Sequence, residues 1–143
     1  MFKYLESHRV YIVYLPLAVY WITLFVMTSL PSTMSISVGV SDKIEHFGAY
    51  GLLSVFLFLA LKFESKYPFL SDYPATFALL IASLYGLIDE FHQLFIPGRS
   101  AEFYDWLADF LGSVLAVVIL RLLFYKFEGK KGQKKIDSAG TNI

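Results

Sequence analysis

The twenty residues YIVYLPLAVYWITLFVMTSL, Tyr11 to Leu30, carry no charge and stop at Pro31. At 1.5 Å rise per residue, about 20 apolar residues in a helix cross a hydrocarbon layer of ~30 Å. Lys3 and Arg9 precede the run, as they would in a signal peptide. The apolar core, however, exceeds the roughly 7–15 residues of such a peptide, and no small-x-small cleavage site follows. The stretch is therefore read as a first membrane span.

Three more apolar stretches follow. Ser32 to Ser41 is small and polar and reads as a connecting loop, after which a second helix runs from Asp42 to Phe63 with Ser41 or Asp42 placed to cap it. KFESKYPFLSDY, Lys62 to Tyr73, is mixed in charge and broken by Pro68, which suits an interfacial segment. A third helix is expected from Pro74 to Phe95; proline is tolerated in its first turn because the missing N–H would be unpaired there anyway. The turn IPGRS leads to a fourth, Phe103 to Tyr125. The expected fold is all-α, a polytopic bundle of four transmembrane helices. It comprises an N-terminal segment 1–10, a four-helix domain 11–125 and a basic tail 126–143 that is polar, Lys-rich and expected to be disordered.

Composition agrees. Of 143 residues 57% are hydrophobic and 17% charged, against about 25% charged in soluble domains, and the mean hydropathy is +0.58. With Cys 0, disulfides, thiolate metal sites and cysteine nucleophiles are excluded. The formal net charge of +0 conceals an asymmetry along the chain. Lys3 and Arg9 precede the first span, Lys62 and Lys66 follow the second, and Arg121 and five lysines close the fourth. Positive flanks stay in the cytoplasm, so both termini are expected there, in the cell membrane. Lys43 and Arg99 alone are then the positive residues of the opposite face.

That orientation gathers the start of the second helix, the end of the third and the start of the fourth on the outer side. Asp42, Lys43, Glu45, His46, Asp89, Glu90, His92, Gln93, Arg99, Glu102, Asp105 and Asp109 meet there: seven acids, two cations, two histidines and a glutamine. Charges at such depths are costly unless they face the bundle interior, pair, or line a wet cavity, so they mark a candidate site. Asp42, His46, Tyr50 and Ser54 are spaced four apart and form one polar row; Asp105 and Asp109 form another. On the third helix Gly86, Glu90 and Gln93 share the face expected to point inward, with Gly86 allowing close approach. Asp89 is expected to be solvated at the helix end and His92 to cap it.

DKIEHFGAY, from Asp42, and GLIDEFHQLFIPGRSAEFYDWLADFLG, from Gly86, resemble the VanZ-like membrane proteins of bacteria. Asp42, Lys43, His46 and Tyr50 fit that family's first element, and Glu90, Gln93, Pro97, Arg99, Asp105 and Gly112 its second. The resemblance spans roughly residues 10–125. Asp109 stands where the family usually shows asparagine, which adds a carboxylate. The resemblance implies a cell-envelope protein whose namesake is associated with low-level resistance to the glycopeptide teicoplanin.

Four uses of the charged end stay open. In the first, an enzyme acts on a lipid-linked or cell-wall substrate, with His46, Glu90 and Asp105 as catalytic groups. Asp42, Lys43, Tyr50, Gln93, Arg99 and Asp109 then bind substrate, Arg99 through its planar fork. Ser54 and Ser100 lie in no nucleophile motif. In the second, a divalent metal is held by His46, Glu90, Asp105 and Asp109, with His92 a further candidate ligand, although no His-Glu-x-x-His spacing supports it. In the third, the pocket binds or occludes a cationic, sugar-bearing or glycopeptide ligand without chemistry. In the fourth, Lys43, His46, Glu90, Arg99 and Asp105 merely lock helix ends together. Surplus acid argues against the lock, since repelling carboxylates recruit cations. Tyrosines and Trp106 near helix ends read as interface anchors. The KKGQKK tail suits anionic lipid better than nucleic acid, and no phosphate-cradling glycine loop is present. Membrane lipids are the expected surroundings, and the oligomeric state is left open.

Overall fold

Pro16 shapes the first span. It has no N–H to donate and its ring crowds the preceding turn, and the chain before it, Val10–Tyr14, is wound as a π-turn that passes into helix α1, Leu15–Thr28. The remaining elements are α2, Asp42–Lys62; a short surface helix α3, Pro68–Asp72, within the expected interfacial segment; α4, Pro74–Gln93; and α5, Phe103–Gly140. This computed structural model describes His8, residues 10–34, Gly39 and residues 41–140, the last from residue 128 onward as backbone alone. Most of the expected N-terminal segment and part of the first loop, at residues 35–38 and 40, lie outside the described residues.

Boundaries differ from the sequence expectations in instructive ways. Ser41 occupies the N-cap of α2 in extended conformation but makes no side-chain cap bond; its carbonyl instead accepts from Ile44 and Glu45 N–H. α4 stops at Gln93, where the chain enters successive turns. α5 continues as helical backbone to Gly140 rather than ending near Tyr125. Its polar extension carries Lys126, Lys130, Lys131, Lys134 and Lys135, lysine being a good helix former, and no proline interrupts it.

Among the described residues four segments are long and apolar enough to cross a membrane: Val10–Thr28, Asp42–Lys62, Pro74–Gln93 and Phe103–Phe127. The protein is a polytopic all-α membrane protein, and among the described residues there is no strand. The core is small. Leu24, Tyr50, Leu53, Leu57, Phe58, Ala78, Ala82 and Val117 are buried together, while Ile22, Leu84, Ile88, Leu115 and Leu122 face outward. So much exposed apolar surface belongs against lipid, where burial in protein is not needed to keep it from water.

α2 and α5 make the most extensive contact, α4 packs against both, and α1 leans mainly on α2. Small residues permit the α2–α5 crossing. A Cβ on Gly51 would lie 3.3 Å from the Gly112 carbonyl oxygen, and one on Gly112 would collide with the Phe47 carbonyl. Such close backbone approach is how helices associate where lipid removes the hydrophobic drive between them. Ser113 fastens the crossing, its hydroxyl donating to Asp109 O at 2.8 Å and Tyr50 O at 3.3 Å. Trp106, expected as an interface anchor, is half-buried and its indole N–H donates to Ser83 O on α4 at 3.1 Å. α1 is tied by Tyr20, whose hydroxyl donates to Ala49 O at 2.9 Å.

Candidate functional site

The start of α2, the end of α4 and the start of α5 meet at one end of the bundle. The polar row on α2 enters there: Asp42 is exposed at the mouth, and His46, Tyr50 and Ser54 are successively deeper and buried. Opposite them Asp105 is 3% and Asp109 0% exposed. His46 Nδ1 lies 2.9 Å from Asp109 Oδ1. Against an ionised carboxylate, which only accepts, Nδ1 carries a proton, and in the neutral ring Nε2 is then the free nitrogen. Nε2 lies 4.0 Å from Asp42 Oδ2, on the mouth side.

Glu90 Oε2 accepts the backbone N–H of Glu102 at 2.8 Å, pinning the chain just before α5 to the end of α4. Its other oxygen, Oε1, is 4.0 Å from His46 Nδ1. Lys43 bridges the same end, 2.8 Å from Asp105 and 3.0 Å from Glu102. His46, Glu90, Asp105, Asp109, Asp42 and Lys43 are thus brought together. Gln93 is buried on the Glu90 face, as its spacing predicts.

The turn after α4 is set by Gly98, whose φ of +76° is one that side chains rarely adopt. A Cβ there would also strike the Ser32 hydroxyl. Ser32 N–H donates to Pro97 O at 3.3 Å, and Arg99 Nε reaches the Leu30 carbonyl at 3.4 Å. The turn is therefore anchored to the end of the first span, and Arg99 stands at the edge of a cavity of about 420 Å³. Asp42, His46, Gln93 and Arg99 form its polar side; Leu24 and Met27 of α1 and Ile44 and Ala49 of α2 form its apolar side.

Two expectations need correction. Asp89 is not solvated at the helix end: it is 3% exposed and accepts the Tyr50 hydroxyl at 3.1 Å. α4 is covered by α2 on one side and α5 on the other, so adjacent positions are both buried. His92 does not act through a cap at the end of α4; its ring stacks on Phe25 of α1, centroids 5.4 Å apart. Gly86 does allow close approach, but what approaches is a side chain, since a Cβ there would lie 2.9 Å from Asp109 Oδ2. Sequence reasoning placed Asp89 at this end but not in its interior, and it missed Ser113 and the wall from α1. A signal for the last existed in Thr28, a polar residue near the end of the first span at the level of the other site residues.

Fold and site together define a class: a four-span membrane bundle that buries a polar, mostly acidic centre beside a half-apolar cavity at one of its ends. The sequence matches the VanZ/LLP1 family over residues 12–124, and the chain belongs to that family. No match to a curated protein or to a solved structure was found.

Proposed function

We propose that this chain is a cell-envelope protein that acts, at the outer membrane surface, on the polar part of a lipid-linked or cell-wall substrate, and thereby contributes to glycopeptide tolerance. The observation that carries this reading is the His46–Asp109 pair beside a cavity with one polar and one apolar side. A carboxylate on Nδ1 fixes the imidazole tautomer and stabilises the imidazolium, so Nε2 can take up or release a proton toward the cavity. The apolar wall from α1 and α2 suits a lipid chain. Arg99 is placed to hold a phosphate or carboxylate of the same molecule. Glu90 and Asp105 assist as neighbouring carboxylates, while Asp42, Lys43, Gln93 and Tyr50 line or support the polar side.

A second reading has its own support. Lys43 joined to Asp105 and Glu102, and Glu90 joined to the Glu102 N–H, would lock three helix ends without chemistry. Single substitutions His46→Ala, Glu90→Ala, Arg99→Ala and Asp105→Ala, scored for folded yield in membranes and for teicoplanin tolerance, separate the two. The site reading expects normal yield with lost tolerance for His46→Ala and Arg99→Ala. Collapsed yield in every variant favours the lock, and a deletion strain with unaltered tolerance removes the glycopeptide role.

A further inference from the structure

Glu90 holds an oxygen, Oε1, 4.0 Å from His46 Nδ1 that no donor meets, and Asp109, whose Oδ1 lies 2.9 Å from the same nitrogen, holds a second unmet oxygen, Oδ2, on its Gly86 side. Glu90 is 5% and Asp109 0% exposed, and neither Glu90 Oε1 nor Asp109 Oδ2 has a hydrogen-bond partner among the described residues. Buried polar atoms are almost always paired, because an unpaired one keeps its full desolvation cost. An unmet, buried carboxylate oxygen beside an imidazole that a second buried carboxylate also approaches calls for a positive partner. We propose that His46, Glu90 and Asp109 form the binding site of a single divalent transition-metal cation.

The spacing suits one ion. His46 Nδ1 is 2.9 Å from Asp109 Oδ1 and 4.0 Å from Glu90 Oε1, and all three residues present ligand atoms within 4.8 Å of one another. Metal–ligand bonds of about 2.1 Å put neighbouring ligands about 3.0–3.4 Å apart and opposite ones about 4.2 Å apart. One nitrogen and two carboxylates suit Zn²⁺ or Mn²⁺; Ca²⁺ and Mg²⁺ prefer all-oxygen shells. Two ionised carboxylates also balance a double charge, which lowers the cost of holding it away from water. The other compact set, Asp42, His46 and Asp105, is less suited, because Lys43 Nζ sits 2.8 Å from Asp105 and Asp42 is exposed.

The proposal rests on the reading of this end as a functional site and adds what it holds. Three protein ligands leave coordination positions open for water or a substrate oxygen. Ligation through Nδ1 requires the ring proton on Nε2 instead, so that with the ion bound His46 is a ligand through Nδ1 and a donor through Nε2–H on the Asp42 side.

The test uses the full chain in detergent, stripped with EDTA and chelating resin, then titrated with Mn²⁺ and separately with Zn²⁺. Free Mn²⁺ is followed by its electron paramagnetic resonance signal and stability by the thermal unfolding midpoint. One saturable ion per chain with a raised midpoint is expected. Glu90→Gln and Asp109→Asn should each weaken binding by about tenfold or more, and Asp72→Asn, on the exposed segment at the other end, should not. Should Glu90→Gln fail to fold, Glu90→Asp serves, its shortened carboxylate again weakening binding. No saturable binding, or equal affinity in all variants, overturns the site. Absent binding combined with lost tolerance in His46→Ala defeats the ion and spares the proposed function. A bound ion with tolerance unchanged in every variant does the reverse.

Discussion

Tyr50 lies at 1% exposure with its hydroxyl donating to Asp89 Oδ2, itself on a residue 3% exposed. Replacing it by phenylalanine keeps the ring, which stacks parallel to His46, and removes the donor. Leaving a buried carboxylate oxygen unmet costs about 1–3 kcal/mol, more for a charged group, so Tyr50→Phe should lower the unfolding midpoint in detergent. Tyr50→Phe combined with Asp89→Leu should recover most of that loss, because removing both partners leaves nothing unpaired. A midpoint unmoved by Tyr50→Phe would mean that Asp89 finds another donor. Single residues also show where sequence reading reaches its end. Three- and four-residue spacing sufficed for His46, Tyr50, Glu90 and Gln93, all buried as expected. It failed at Asp89, because spacing identifies one inward face and α4 has two.

Helix ends and crossings were less legible than helices. The four spans follow from apolar length, but the π-turn before Pro16, the absence of a side-chain cap at Ser41 and the length of α5 depend on local hydrogen bonding that hydropathy does not encode. The α2–α5 crossing was not legible: of its glycines only Gly112 was noted, as a position that fits the family. Their effects should differ. At Gly112 an added methyl meets the Phe47 carbonyl, and the two backbones must separate. Gly112→Ala is therefore expected to destabilise the bundle by about 1–3 kcal/mol, the usual range for overpacking. At Gly48, on the same helix as Phe47, an added methyl has nothing within 4 Å, and alanine is the better helix former by about 0.5–1 kcal/mol. Gly48→Ala should be neutral or stabilising. Unfolding midpoints of both variants decide it, and a Gly112→Ala protein as stable as the parent would mean that α2 and α5 do not cross this closely.

Across the whole molecule, charge and contact agree on which ends belong together. Tyr14, opening the first span, donates to Glu64, just past the second, at 2.8 Å. At the opposite end Lys43 meets Asp105 and His46 meets Asp109. Lys62, Lys66 and Arg121 therefore share the end at which the chain enters its first span, and the acidic site takes the other. The positive residues predict that the site end faces outward, which the glycopeptide reading requires, since such drugs and their targets lie outside the cytoplasm. Because the sequence holds no cysteine, single substitutions report position without background. Ser100→Cys, exposed in the turn between α4 and α5, should react with a membrane-impermeant maleimide on intact cells. Lys66→Cys, exposed between α2 and α3, should react only after permeabilisation. Labelling of both from one side would break the four-span arrangement. Labelling with the two sides exchanged would keep the bundle and its buried site, but would turn His46 and Arg99 toward the cytoplasm and move any substrate to the inner leaflet.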